Sequence, residues 1–409
     1  MAVSNRYPKV IVSPKAEKSL RGGHPWVFED EVRETDSTAV NGAPVDVYSE
    51  KERYLGTGLL SEASKIRVRV ITRNRNDVID DAFYERRVRH AVAYRRTVMG
   101  EDFSCCRLIF GEADYFPGLT VDLFCDVLVA EVLSFGMDLV KDRIFTHLVR
   151  ALREEGVNVR VLYERSDSPI RALEGLSSYC GFWSGEGLSS EDGGSVQICE
   201  NGILYNVEYI SGQKTGFFLD QKYNRLAAAK LAPGKRVLDC CTHTGAFALN
   251  CAAAGAARVT AVDISEDALA CARANAALNG LEDKMDFVCT DVFELLEDLE
   301  KKKSREYDFI ILDPPAFTKS HATLKNAIRG YRRINARAMK ILPRGGYLAT
   351  CSCSHFMTAP YFKQMLHDAA EDSAVSLRQI EERRQSPDHP ILWNVPETEY
   401  LKFFTFQVF

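Results

Sequence analysis

The chain has no Cys-x-x-Cys pair, although it carries 12 cysteines. They occur as Cys105-Cys106, Cys240-Cys241, Cys351-x-Cys353 or singly, a spacing that offers no zinc framework, so no metal is expected. No apolar run is long enough to span a bilayer; the nearest, Phe247 to Val262, is built of Ala and Gly and is broken by Asn250 and Arg258. Arg6 and Lys9 are not followed by the apolar core of a signal peptide, which makes the cytoplasm the expected compartment. There, every cysteine except Cys353 reads as a small buried hydrophobe. No Gly-x-Gly-x-x-Gly follows a strand, which argues against a dinucleotide site. Acid is missing too from Thr318 to Arg344, in a chain of net charge -5. That segment carries Lys319, Lys325, Arg329, Arg332, Arg333, Arg337, Lys340 and Arg344. It suits a polyanion, and a solvated helix face accounts for it equally.

At 409 residues, 46% of them hydrophobic and 27% charged, the chain is long enough for two or three soluble globular domains. Residues 1–75 read as short strands and turns of a small β-barrel, with Lys9–Val12, Val45–Tyr48 and Ile66–Ile71 as strands. Its turns hold Gly22-Gly23-His24-Pro25-Trp26 and Gly56-Thr57-Gly58. Residues 76–197 read as a small α/β domain, with helices over 81–98 and 139–154 and a linker rich in Gly, Ser and acid over 181–194. From 198 to 409 apolar strands alternate with helices, which predicts a doubly wound parallel sheet. In such a sheet ligands bind beyond the carboxyl ends of the strands. Asp239, Asp263, Asp291, Asp313 and Cys353 all fall at or just beyond such ends.

Val237-Leu238-Asp239-Cys240-Cys241-Thr242-His243-Thr244-Gly245 is a strand, a polar turn and the start of a small-residue helix. Asp263 ends the next strand, where an acid can accept both hydroxyls of a ribose. The turn has one glycine, Gly245, and Asp239 would repel a phosphate. A nucleoside with a cationic amino-acid tail fits instead, namely S-adenosylmethionine, with Asp239 on the ammonium, Asp263 on the ribose and Asp291 on the adenine amine. Each acid taken alone is equally a helix cap or strand end. Upstream, Gln221 and Arg225 lie four apart on a helical face, in reach of a methionine carboxylate, and simple helix capping remains open.

Asp313-Pro314-Pro315-Ala316-Phe317 ends a further strand. Paired prolines fix φ and remove two N–H donors, which leaves backbone carbonyls for an entering base. Asp313 suits the amidine edge of cytosine and Phe317 a stacking wall. Cys353 decides the chemistry. C5 of cytosine is a poor nucleophile until a thiolate adds to C6, whereas methylation of a purine nitrogen or an exocyclic amine needs no thiol. A buried core cysteine, like Cys351, is the competing account.

On Gly23-His24-Pro25-Trp26-Val27-Phe28, Lys214-Thr215-Gly216-Phe217-Phe218-Leu219-Asp220-Gln221, Asp313-Pro314-Pro315-Ala316-Phe317 and Ser352-Cys353-Ser354, the chain resembles the RlmI-type 23S rRNA cytosine-5 methyltransferase family. The resemblance covers almost the whole length. It implies an N-terminal PUA barrel, a central α/β domain and a class I Rossmann-like methyltransferase domain, often in a dimer. S-adenosylmethionine is the implied cofactor and RNA the implied partner. The implied nucleophile is Cys353 with Asp313 beside it. Asp220, Gln221, Arg225, Asp239, Thr242, Gly245, Asp263, Asp291 and Asp313 form the expected cofactor set. Lys214, Phe317, Lys319, Arg329, Arg332 and Arg333 are expected to meet RNA. The rivals are a purine methyltransferase acting on guanine N7 or an amine, a catalytically silent RNA-binding assembly factor, and a nicotinamide enzyme, the last disfavoured by the missing glycines.

Overall fold

The computed structural model describes residues 6–318 and 320–409. Two compact units emerge: residues 1–198, 207–219 and 387–398, and residues 199–206, 220–386 and 399–409.

The first unit opens with β1 (Lys9–Val12), α1 (Pro14–Gly22), β2 (Trp26–Phe28), β3 (Val32–Thr35), β4 (Pro44–Ser49), β5 (Tyr54–Leu60) and β6 (Ile66–Thr72). Its strands form one sheet in the order β2-β6-β5-β4-β1-β3 around buried Val10, Val12, Val27, Val45, Val47, Val68 and Val70. The sequence reading missed α1. Ser13 caps it by accepting from the Ala16 N–H, Pro14 starts it, and Gly23 ends it at φ 106, so the Gly-Gly pair is a helix stop and not a strand turn. Gly56-Thr57-Gly58, expected in a turn, lies inside β5 at a bulge against β6. A Cβ at Gly58 would sit 2.5 Å from the Arg69 carbonyl oxygen, which is why glycine stands there.

Next come α2 (Asp81–Met99), β7 (Cys105–Phe110), β8 (Leu119–Phe124), β9 (Val127–Val132), α3 (Phe135–Glu154), β10 (Val161–Ser166) and β11 (Tyr179–Phe182), with the sheet order β11-β10-β9-β8-β7. A hairpin of β12 (Ser195–Glu200) and β13 (Ile203–Glu208) follows.

The second unit holds α4 (Lys222–Ala229), β14 (Arg236–Cys240), α5 (Ala246–Ala253), β15 (Arg258–Asp263), α6 (Glu266–Leu278), β16 (Met285–Cys289), α7 (Val292–Lys301), β17 (Phe309–Leu312), α8 (Leu324–Ile341), β18 (Tyr347–Ser352), α9 (Ala359–Asp372), β19 (Leu377–Arg383) and β20 (Lys402–Val408). Its seven-stranded sheet runs β16-β15-β14-β17-β18-β20-β19, with β14 to β18 parallel and β20 antiparallel to both neighbours. The chain order reverses between β14 and β17, the switch point where an open α/β sheet forms its crevice. Leu238, Val262, Ile310, Leu312 and Leu348 are fully buried beneath α7, α8 and α9. This is the expected α/β class, with two antiparallel strands and α9 added to it. Among the described residues no helix is long and apolar enough to cross a membrane.

Candidate methyl-donor and base site

Strand register builds the site. Cys240 pairs with Val262 and with Leu312, and Leu312 pairs with Thr350. One residue further on, Asp263, Cys241, Asp313 and Cys351 therefore share a row at the carboxyl edge. Asp239 sits two residues below that row, and Cys353 one residue beyond β18. The acids converge electrostatically: burial and the charges of Asp263, Asp313, Asp239 and Asp291 all push the Cys241 thiol up.

Asp239 is 1% exposed. Its Oδ2 accepts from the Thr242 hydroxyl at 2.6 Å and the Ala248 N–H at 3.0 Å, while its Oδ1 has no partner. Burial, with Asp313 and Asp263 nearby, raises its carboxyl to about 7. A buried carboxylate oxygen without a donor is costly, and an ammonium would relieve it. The loop after β14 is strained to hold this arrangement: Cys241 and His243 are left-handed at φ 62 and 52, each costing on the order of 1–3 kcal/mol. Asp263 clamps the loop, accepting from the His243 N–H at 2.9 Å and the Ser265 N–H at 3.0 Å. Gly245, at φ 84, opens α5, and a Cβ there would meet the Ala272 Cβ at 3.1 Å. Asp291 caps α7, with Oδ1 accepting from the Phe293 and Glu294 N–H groups.

Gln221 donates to Asp313 Oδ1 at 3.1 Å and accepts from Asn224 at 2.7 Å. Burial, and then Asp220, raise the Asp313 carboxyl to about 6 against the opposing pull of Arg225 and Gln221. Asp220 accepts from the Tyr400 hydroxyl at 2.6 Å. Arg225 donates to Glu200 at 2.5 Å, with side chains only 4% and 0% exposed. It reaches Asp313 as a charge.

Cys351 is fully buried and its thiol is pushed well up, whereas Cys353 is half-buried at the edge. Around Cys353, Ser352 donates to the Tyr331 hydroxyl at 3.1 Å, and that hydroxyl lies 3.0 Å from the Ser354 hydroxyl. Phe317 packs on Tyr331, with centroids 4.4 Å apart, and on Phe293. Sequence reasoning missed Lys402. It stands opposite Ser352 across β18 and β20, and its ammonium donates to the Ser354 and Tyr400 carbonyls, each at 2.7 Å. The available signal was a single lysine heading the apolar run Phe403-Phe404-Thr405-Phe406.

Of the basic segment, Arg332 donates to Asp372 at 2.6 Å, Arg337 pairs with Glu297 and Lys340 with Glu300. Those acids stand on α7 and α9. Lys325, Arg329 and Arg333 are exposed, Arg333 lying over the Phe293 ring at 4.6 Å. Lys319 lies outside the described residues. Lys214 belongs to the first unit, exposed, left-handed at φ 50 and 5.0 Å over the Phe218 ring.

The sheet order, its switch point and the row of acids with an unsatisfied buried oxygen define a class I, S-adenosylmethionine-dependent methyltransferase. The model of S-adenosylmethionine-dependent methyltransferases matches residues 164–405, and that of PUA-like domains residues 10–73. The chain is 39% identical over 396 residues to the ribosomal RNA large subunit methyltransferase I of Pseudoalteromonas atlantica, covering 96% of this chain and 98% of that one. It is 37% identical over 404 residues to the protein of that name from Klebsiella pneumoniae, covering 98% of each. A solved structure from Streptococcus mutans, described as a SAM-dependent methyltransferase, shares the fold at TM-score 0.81 and 24% identity over 98% of this chain and 99% of that one. The chain belongs to the ribosomal RNA large subunit methyltransferase I family, with an N-terminal PUA-like domain and S-adenosylmethionine as cofactor.

Proposed function

We propose that this protein forms 5-methylcytosine in large-subunit ribosomal RNA through a Cys353 adduct. The observation that carries the reading is Cys353 itself, half-buried one residue past β18, beside the strand that ends in Asp313-Pro314-Pro315. Large-subunit RNA as substrate is supported by the names of the relatives and by the PUA-like domain.

S-adenosylmethionine, when bound, supplies an electrophilic methyl group. Asp239 would hold its ammonium through the unpaired Oδ1, Asp263 the ribose and Asp291 the adenine amine, with Thr242 and Gly245 shaping the turn. Gln221 would meet the tail carboxylate, with Arg225 as the charge behind it and Asp220 setting the level of Asp313. The Cys353 thiolate adds to C6 of cytosine while Asp313, raised to about 6, shares a proton with N3. C5, now enamine-like, takes the methyl. Loss of the C5 proton to a base then returns the electron pair, expels the thiolate and restores the ring. Cys351 has no part in this, because burial keeps it a neutral thiol. Phe317 would wall the base, and the base must be unpaired or flipped to enter.

RNA phosphates would be held by the PUA-like domain, Lys214 and the basic segment through Lys319, Arg329 and Arg333, while Arg332 is engaged by Asp372. We also propose a division of the sequence into domains 1–75, 76–197 and 198–409, the last lending residues 387–398 to the first compact unit, a cytoplasmic site of action and a homodimer.

The test uses labelled S-adenosylmethionine and unmodified ribosomal RNA with wild type and Cys353→Ala, followed by digestion to nucleosides and mass identification. Labelled 5-methylcytidine from wild type and none from the variant is expected. A methylated purine from either protein would overturn the reading and leave Cys353 a core residue.

A further inference from the structure

We propose that Lys402 is the positioning residue that keeps Cys353 in its reactive, ionised form, an inference that rests on Cys353 being the nucleophile. A buried lysine needs an account of its charge, since an ammonium out of water is costly unless it is paired. Lys402 is 4% exposed. Two of its three N–H donors go to the Ser354 and Tyr400 carbonyls, and among the described residues no carboxylate pairs with it. The acid it feels, Glu399, is committed to Arg384 at 2.9 Å. The other group within its electrostatic reach that would favour the ammonium when ionised is the Cys353 thiol.

Geometry fixes this encounter. Ser352 and Lys402 are register partners on antiparallel strands, so the lysine stem starts across from the residue before Cys353. Its head then bonds the carbonyl of the residue after Cys353. Lys402 is thus tied to the 352–354 turn at the residues before and after Cys353. Tyr331 and Cys351 also lie within electrostatic reach of Cys353, and burial keeps both neutral. Burial lowers Lys402 to about 8, which leaves it protonated at neutral pH. The lysine keeps its own protons, and the thiol loses its proton to water.

A lysine that merely ties β20 to the turn would hold the same hydrogen bonds without setting the reactivity of the thiol. Alkylation with iodoacetamide separates the two roles. In the full-length protein without RNA, the rate at Cys353 is followed against pH by peptide mass spectrometry, with exposed Cys199 as internal reference. In wild type, Cys353 is expected to react faster than Cys199 at pH 7. Lys402→Met should slow Cys353 at pH 7 about tenfold and move its profile up by about one pH unit, with Cys199 unchanged. Lys402→Arg, which keeps the charge, should retain the wild-type profile. Wild-type Cys353 reacting no faster than Cys199 would overturn the proposal whatever the variants do, and so would an unmoved profile in Lys402→Met. The assay needs no target base, so an error in the cytosine assignment shows in the nucleoside product and an error about Lys402 shows here.

Discussion

Asp239 is a residue whose environment works against its own ionisation. Its folded carboxyl titrates near 7 against an ordinary value of 3.8. The folded state therefore binds a proton that the unfolded state has released, and this contribution to stability is complete below about 3.8 and is lost as pH rises through about 7. The difference sets an upper bound of roughly 4 kcal/mol. Asp239→Asn keeps the shape but cannot ionise, so in urea it should gain on wild type between pH 5.5 and pH 8.5 by about 2 kcal/mol. It should also lose most of its affinity for S-adenosylmethionine by calorimetry, because the ammonium loses its counter-charge. Equal stability differences at the two pH values would mean that Asp239 is not the strained group. The positions of Asp239, Asp263 and Asp313, at or next to strand ends, and of Asp291, which caps the following helix, were legible in the sequence, because strand ends and helix caps are local features. Lys402 and Tyr400 were not, because nothing local to residue 402 says that its strand returns beside β18.

At the scale of the element, α8 shows how tertiary neighbours divide one charge run. Ala327, Tyr331, Ile334, Ala338 and Ile341 recur at helical spacing and are buried. The basic residues occupy the remaining faces. Arg332, Arg337 and Lys340 meet acids from α7 and α9, and Lys325 and Arg329 remain exposed. Replacing both Lys325 and Arg329 with Ala should weaken binding to ribosomal RNA and flatten the slope of log affinity against log salt by about 2, as read by fluorescence anisotropy. Arg332→Ala should change the slope by less than about half a contact. A slope loss in Arg332→Ala equal to that of the double variant would show that its bond to Asp372 opens for RNA. The run of like charge was visible in the sequence, but the partners that neutralise part of it lie on helices about 40 residues to either side.

At the scale of the molecule, the two units are interleaved in sequence: residues 387–398 belong with residues 1–198. Asp388 and His389 are buried at 1% and 2%. Asp388 accepts from the Arg107 N–H at 2.8 Å, its carbonyl accepts from Arg95 at 3.0 Å, and its carboxylate lies 2.9 Å from His389 Nδ1. Asp388→Ala strips the Arg107 amide and the histidine of a buried charged acceptor and should cost about 2–4 kcal/mol by urea denaturation. A loss below about 0.5 kcal/mol would mean that the segment is only laid on the surface. Sequence reading assigned residues 387–398 to the C-terminal part of the chain, because a composition pattern carries no sign of contacts made across 281 positions.

The sequence by itself determined the strands of the parallel sheet, the helices between them and the acids that close them. Side-chain periodicity, strand-end chemistry and turn residues are all written over a few neighbouring positions. Tertiary structure alone decided where β20 enters the sheet, which cations stay exposed and that Lys402 is buried against the 352–354 turn. Those outcomes depend on register and burial between segments far apart in the chain, where the free energy of a charge is set by what packs around it and not by what precedes it.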